Sequence, residues 1–301
     1  MSVQKLPIKP RRKPFTVFDI ALYMICVIIS IVFLYPIYYV FVAAFSKPSD
    51  LFSNPLIILP RTFSLYNMEM MLKSAGIWIG YRNTLFYMAI GTVINICLTV
   101  TLAYALAQRE MPIRRTLNFM IVFTMYFSGG LIPTFLVVRN LGILNTVWAI
   151  VLPGAISTWN LMVTRTYLST QISSELLEAA EVDGAGEYCV FFHIVLPLCK
   201  PILITIGMFY ASGHWNSWFS SLIYLRDRSL YPLQVFLREL LILNDAASMT
   251  VEAGDYASNT AMYVLTMKYA VMVATLLPML IVFPFVQKYF VKGIMIGALK
   301  G

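Results

Sequence analysis

The segment with the most distinctive chemistry is an acidic stretch within residues 172–200. It reads SELLEAAEVDGAGE from Ser174 to Glu187 and carries five carboxylates in fourteen positions. Ser174 is suited to cap a helix, Gly184 to end it, and Gly186 to permit a fresh turn. An apolar stretch follows, as far as Pro197. We therefore predict a helix–turn–helix elbow with a small acidic and apolar tip, a shape suited to insertion into a groove on a partner protein.

Groups that could perform catalysis or hold a cofactor form no recognisable pattern. His193 and His214 have no carboxylate or nucleophile beside them in the sequence. The chain has no GxxxxGK[ST] phosphate loop, so we do not expect it to bind or hydrolyse ATP. The spacing of its four cysteines indicates neither a disulfide framework nor a zinc site. We expect no enzyme activity, no metal and no cofactor in this chain.

The rest of the sequence indicates that lipid surrounds most of the chain. The 301 residues are 59% hydrophobic and 12% charged, about half the charged share of a typical soluble domain. Six stretches lack Asp, Glu, Lys and Arg, and each is near the roughly 20 residues that cross a bilayer as a helix. Continuous apolar runs favour helices over a barrel. We predict an all-α membrane protein, with one transmembrane domain over 19–301 and spans at about 20–46, 83–108, 116–138, 140–164, 201–225 and 269–287.

The basic residues indicate how the spans are oriented. Residues 1–18 hold five Lys and Arg and no acid, so we place this segment in the cytoplasm, and six spans return the C-terminus to the same side. The same bias of Lys and Arg toward cytoplasmic loops explains the net charge of +8, so this charge does not indicate nucleic-acid binding. The acidic loop at 172–200 also lies inside, against that bias, so topology does not account for it. A Leu-rich piece, Leu233–Leu243, is a candidate external surface helix.

If a polar, uncharged solute crosses this membrane domain, its substrate path should combine aromatic rings with uncharged hydrogen-bonding groups. The fifth span supplies Tyr210, Trp215, Asn216 and Trp218, and the fourth supplies Asn160. The alternative is that the aromatic residues anchor the helices at the interface and that Asn bonds a neighbouring helix. The spans contain no Asp, Glu, Lys or Arg for ion coupling, so the energy for transport should come from outside the membrane domain.

The acidic segment resembles a known signature. Its EAA triplet, Glu178, Ala179 and Ala180, is followed by DGAG at 183–186, then by IVLP at 194–197 and Pro201. This pattern is similar to the EAA loop of binding-protein-dependent ABC importer permeases. The resemblance implies a coupling helix that docks on an ATPase, and it assigns that role to Glu178, Ala179, Ala180, Asp183, Gly184 and Gly186.

Two further elements resemble the carbohydrate branch of that family. Trp215-Asn216, followed by Leu222-Ile223, is similar to its WN pattern, although this chain has Ser221 near the place where a proline is frequent. The C-terminal segment Tyr289–Gly301 resembles the tail of the second permease of maltose-type systems. The whole chain is most similar to permeases for complex or acidic oligosaccharides in Gram-positive bacteria.

The resemblance implies a multi-pass subunit of the bacterial cytoplasmic membrane in a type I ABC importer. Its partners would be a second, homologous permease, two ATP-binding subunits that hold ATP and Mg, an extracytoplasmic sugar-binding protein and membrane lipid. A different class stays open from the residues alone: a channel or regulatory membrane protein whose acidic loop binds another cytosolic protein.

Overall fold

The computed structural model describes residues 16–53, 59, 62–108, 110–252 and 259–298. Over these residues the chain is helical, and one antiparallel bridge between Ser46 and Phe63 is the β pairing they contain. The basic segment 1–18 lies almost entirely outside the described residues, as does the last part of the C-terminal tail.

The described residues form fifteen α-helices, numbered here in chain order. They are α1 (Val17–Ala44), α2 (Pro48–Ser53), α3 (Tyr66–Lys73), α4 (Ala75–Ala107), α5 (Arg114–Tyr126), α6 (Leu131–Asn140), α7 (Trp148–Val151), α8 (Thr158–Gln171), α9 (Ser174–Val182), α10 (Glu187–Cys189), α11 (Leu196–Leu198), α12 (Lys200–Trp215), α13 (Trp218–Tyr224), α14 (Leu233–Glu252) and α15 (Asn259–Ala298). A π-helical segment, Val190–Val195, joins α10 to α11, and a 3-10 turn, Arg228–Leu230, precedes α14.

Three helices are long and apolar enough to cross a membrane by themselves: α1, α4 and the Thr266–Pro284 part of α15. The side chain of Thr16 accepts from the backbone of Asp19, whose carboxylate in turn accepts from the backbone of Thr16, so a capping box begins α1. None of the most apolar part of α1 is buried within the chain, which leaves that surface for lipid. Helix α4 begins at Ala75, eight residues before the predicted 83. The predicted span began after Arg82 because that residue ends the uncharged run, but Arg82 lies within the helix.

The stretches predicted as spans over 116–138 and 140–164 are not single continuous helices. The first stretch is a bent pair, in which the chain direction changes by 115° between α5 and α6. Its break contains Gly130, whose φ of 83° ends one helix before the next begins. In the second stretch, α7 ends at Val151 and Pro153 lies in the turn that precedes α8. Proline cannot donate to a continuing helix, so α7 and α8 stay separate.

The stretch predicted as a span over 201–225 is also divided into two helices. Helix α12 ends at Trp215, and α13 begins only at Trp218. At its other end α12 follows the helical segment Glu187–Leu198, and the chain direction changes by 77° between them. By length and composition, the described residues therefore contain three candidate spans, or five if each bent pair is one span.

The centre of the bundle is the contact of α4 with α8 and α12. Val100, Ala103 and Leu106 of α4 are almost completely buried there, together with Leu161 of α8 and Ile206 of α12. The predicted helix at Leu233 is present, but its first turn is not on the surface: Leu233 is fully buried, packed against Gly80 of α4. A Cβ on Gly80 would lie 2.9 Å from the Cα of Leu233, so glycine permits this close approach.

Candidate functional site

The first arm of the acidic elbow is α9, and its cap lies one residue earlier than predicted. The hydroxyl of Ser173 accepts the backbone N–H of Leu176 at 3.3 Å, so Ser173 is the N-cap and Ser174 is the first helical residue. The carboxylate of Glu175 is in the first turn, where the helix dipole favours negative charge.

Gly184 ends α9, as the sequence predicted. Its φ is 80°, a conformation that other residues adopt at a cost. The N–H of Gly184 donates to the carbonyl of Glu181 and that of Ala185 to the carbonyl of Ala180, both at 2.9 Å. These two bonds form a Schellman motif. No heavy atom lies within 4 Å of a Cβ built on Gly184, so conformation and not crowding requires glycine.

The elbow has one buried face and one exposed face. Ala180, Val190 and Val195 are buried in the same core as the ends of α4 and α8, and the ring of Phe191 lies 5.0 Å from that of Tyr104. The other residues predicted to couple to an ATPase are all exposed: Glu178, Ala179, Asp183, Gly184 and Gly186.

Two residues of the exposed face were missed from the sequence. Val182 is 87% exposed and Tyr188 is 84% exposed, one on each side of the glycine turn. Large apolar side chains this exposed on a turn point to a contact surface. Their positions on either side of the DGAG turn were the available signal.

A cavity of about 680 Å³ lies beneath the elbow. Arg114 and Arg165 line one part of it, and Glu178, Glu181 and Glu187 line another. The ion pairs found in the described ranges, Lys73–Glu69 and Arg228–Glu239, both lie elsewhere. The guanidinium groups of Arg114 and Arg165 instead donate to the backbone carbonyls of Gln108 and Leu106, each at 3.3 Å.

A polar seam joins α4 to α12 inside the bundle. Asn95 is 3.0 Å from the Nε2 atom of His214, and the hydroxyls of Thr99 and Tyr210 are 2.6 Å apart. The two pairs are each four residues apart along both helices, so they form successive rungs. His214 therefore has a partner that the sequence reasoning did not find. The signal was the i, i+4 spacing of Gly91, Asn95 and Thr99 in an apolar helix.

The predicted substrate-path residues separate into two groups. Tyr210 is buried in the polar seam, where its hydroxyl also accepts the N–H of Ser157 at 3.0 Å, and Asn160 is buried in α8. Trp215 and Asn216 instead line a second cavity, of about 300 Å³, between α12, α14 and α15. The amide of Asn216 donates to the carbonyl of Ser212 at 2.9 Å.

At the other end of the bundle, side chains fasten the 226–233 loop to the helices. The amide of Asn83 donates to the carbonyls of Ser229 and Tyr231, at 2.7 and 3.1 Å, and Tyr87 donates to that of Leu230 at 2.7 Å. The side-chain oxygen of Asn145 accepts two backbone N–H groups from the start of the loop. The described residues contain no group of three His, Cys, Asp or Glu that could hold a metal.

An all-helical membrane domain, with broken helices and a Schellman-capped elbow between two of them, defines a transport subunit. The family model of binding-protein-dependent transport system inner membrane components matches residues 73–296. The chain belongs to this family. It is the membrane permease of an ABC importer and is not itself catalytic. Permeases of this kind work with a partner permease, ATPases and a substrate-binding protein, which sets aside the alternative of a channel or regulatory protein.

Individual relatives agree with this membership. The chain is 37% identical to the polygalacturonan/rhamnogalacturonan transport system permease YtcP of Bacillus subtilis, over 94% of this chain and 98% of that protein. It is 38% identical to the protein LplC of the same organism, over 95% of each chain. A chain from the solved structure of a bacterial ABC transporter involved in the import of the acidic polysaccharide alginate superposes with a TM-score of 0.82. That match has 31% identity and covers 92% of this chain and 100% of the other.

Proposed function

We propose that the chain imports an oligosaccharide as one half of a translocation pathway in the bacterial cytoplasmic membrane. The relatives named for polygalacturonan, rhamnogalacturonan and alginate support a sugar substrate. The cavity beside Trp215 and Asn216 supports it chemically, because it offers an aromatic face and uncharged amides. The other half of the pathway belongs to a second, homologous permease, and an extracytoplasmic sugar-binding protein delivers the substrate.

The six-span arrangement is part of this proposal. Helices α1, α4 and α15 cross the bilayer alone, and the pairs α5–α6, α7–α8 and α12–α13 each cross it as a broken helix. Non-helical backbone is tolerated at membrane depth where protein or a water-filled path surrounds it. With this count both termini lie in the cytoplasm, on the same side as the elbow.

The elbow carries the proposal for energy coupling. Its exposed face presents Glu178, Asp183 and the apolar Val182 and Tyr188, while its buried face is continuous with the core of α4, α8 and α12. A push on the exposed face therefore reaches the helices that form the bundle. In this scheme two ATP-binding subunits hold ATP and Mg, and their closure moves the elbow and rocks the bundle from inward- to outward-facing.

Substitution of Gly184 tests this role. Valine at a φ of 80° is strained, and its branched side chain stands on the exposed tip. In the reconstituted complex with its binding protein, we expect Gly184→Val to lower sugar-stimulated ATP hydrolysis and uptake by at least roughly tenfold, which is about 1.4 kcal/mol of coupling.

The matched control is Gly154→Val. Gly154 also has no heavy atom within 4 Å of a built Cβ, but its φ lies outside the left-handed region and it is far from the elbow in sequence. We expect near-normal transport from this variant. Full coupling in Gly184→Val, or a wild-type chain that purifies in detergent without any ATPase, would refute the proposed role of the elbow.

A further inference from the structure

Arg238 lies over an aromatic ring and follows Leu237, a residue that lines the same cavity as Trp215 and Asn216. The guanidinium carbon of Arg238, on α14, is 4.2 Å from the ring centre of Trp218, the first residue of α13. Trp218 is 37% exposed, and α13 packs against α14. An indole face attracts a cation, and a guanidinium that lies over it keeps N–H groups with which it can bind an anion.

Among the residues whose side chains the structure describes, Arg238 forms no ion pair. The adjacent carboxylate, Glu239, is paired instead with Arg228, at 3.6 Å. Neighbours in sequence on a helix point in different directions, so Glu239 is not directed at the Arg238 guanidinium. An arginine supported by an aromatic ring but not neutralised is prepared for an anion that comes from elsewhere.

The cavity next to this pair has the lining that an uncharged part of a sugar requires. Trp215, Asn216, Gln234 and Thr275 provide one aromatic face, two amides and a hydroxyl. Gln234 lies one helical turn before Arg238 on α14, and Trp215 lies three residues before Trp218. The remaining lining is apolar: Leu237, Met272, Leu276 and Met279. None of the eight lining residues is ionisable. Arg238 is not one of them, but it follows the lining residue Leu237 directly on α14.

We infer that Arg238, held over the ring of Trp218, binds the carboxylate of an acidic sugar unit, and that Trp215 and Asn216 contact its neighbour in the oligosaccharide. Guanidinium and carboxylate match in shape and form two parallel hydrogen bonds. A neutral sugar leaves the arginine without that pair. Arg238 thereby selects uronic-acid-type oligosaccharides after the binding protein has delivered them. This inference rests on the proposed import of an oligosaccharide.

The test compares an acidic sugar with its methyl ester, which has the same sugar backbone but lacks the negative charges and carries a methyl group on each carboxyl. Trigalacturonic acid and its methyl ester are supplied to the complete transporter in proteoliposomes, with the same binding protein, and the ratio of their initial uptake rates is measured. We expect Arg238→Gln and Arg238→Met each to lower the acid-to-ester ratio by at least roughly tenfold. Arg238→Lys keeps the charge but loses the planar fork, so its ratio should be intermediate.

The comparison contains its own controls. The binding protein's preference cancels between variants because every variant is measured with the same protein. Arg139→Gln removes an exposed arginine at the end of α6, and we expect it to leave the ratio unchanged. Methionine retains an unbranched stem for packing on Trp218. If only one of the two neutral variants assembles, its ratio decides the result.

The outcomes separate this inference from the proposed function. A wild-type transporter that imports the ester but not the acid overturns the role of Arg238 and leaves oligosaccharide import standing. Equal ratios in the wild type and in both neutral variants also overturn it, even when the acid is imported. A wild-type transporter that imports neither compound but takes up a neutral oligosaccharide overturns the inference alone, whereas uptake of no oligosaccharide at all contradicts both proposals.

Discussion

The polar seam between α4 and α12 depends on the absence of a side chain at position 91, and Gly91→Ala tests this directly. A Cβ built on Gly91 lies 2.3 Å from Nε2 of His214 and 2.5 Å from its Cε1. Non-bonded heavy atoms are at their optimum about 3.5–4.0 Å apart, so the overlap exceeds 1 Å. The imidazole must move, and the 3.0 Å contact with Asn95 is lost.

The size of the effect follows from three contributions. Overpacking of a tight contact costs about 1–3 kcal/mol, and an unsatisfied buried polar group costs about as much again. The Oδ1 atom of Asn95 already has no partner in the described structure, so loss of His214 leaves the whole amide unpaired. Alanine recovers about 1 kcal/mol of helix propensity relative to glycine. We expect a net destabilisation of about 3 kcal/mol.

The measurement is unfolding of the purified permease in mixed micelles as the fraction of SDS increases. Gly213→Ala is the matched control, because this glycine is next to His214 in α12 and no heavy atom lies within 4 Å of its built Cβ. It should be neutral or slightly stabilising. The double variant Gly91→Ala/His214→Ala removes the clash, so the two changes should show a coupling of about 1–3 kcal/mol.

Two results would refute this reasoning. Gly91→Ala could unfold together with the wild type, which would mean that the two helices do not approach as closely as the structure has them. Alternatively, the double-mutant cycle could show additive effects, which would mean that the damage from Gly91→Ala does not pass through His214.

Three further changes test other parts of the structure. Asn83→Ala frees two loop carbonyls, so trypsin applied from the external side should cut the 226–233 loop about five- to thirtyfold faster than in the wild type. The control Asn140→Ala changes an exposed residue and should leave the cleavage rate unchanged. Equal cleavage rates in Asn83→Ala and the wild type would contradict the role of Asn83 in holding the loop. Ser173→Ala removes a cap worth about 1 kcal/mol and should speed amide hydrogen exchange in α9 about fivefold. A larger effect from Ser174→Ala would show that Ser174, as predicted from the sequence, is the N-cap. A membrane-impermeant maleimide should modify the exposed Cys189 in inside-out vesicles only, and labelling in intact cells would place the elbow outside.

Patterns that depend on local chemistry were readable from the sequence. The length and apolar character of α1, α4 and the central part of α15 predicted continuous helices. Gly184 was correctly predicted to end α9, because a left-handed C′ residue is a local requirement. The N-cap was misplaced by one residue, since Ser173 and Ser174 are chemically equivalent candidates and only the backbone geometry distinguishes them.

The candidate site was less readable, because its members come together from distant parts of the chain. Tyr210 and Trp215 are five residues apart in the sequence, yet one lies in the polar seam and the other lines a cavity. Arg238 escaped notice because its importance comes from its position over Trp218. A charged residue in a surface helix has no distinguishing pattern until its neighbours are known.

The sequence by itself determined that lipid surrounds most of the chain, that the chain is helical and that it contains the acidic elbow. Each of these depends on composition or on residues a few positions apart. Tertiary structure decided where helices break, how His214 is satisfied and which aromatic residues meet a cavity. These outcomes depend on contacts such as Gly91 with His214, whose partners lie more than a hundred residues apart. Side-chain periodicity records which face of a helix is apolar, but it contains no information about which other helix will cover that face.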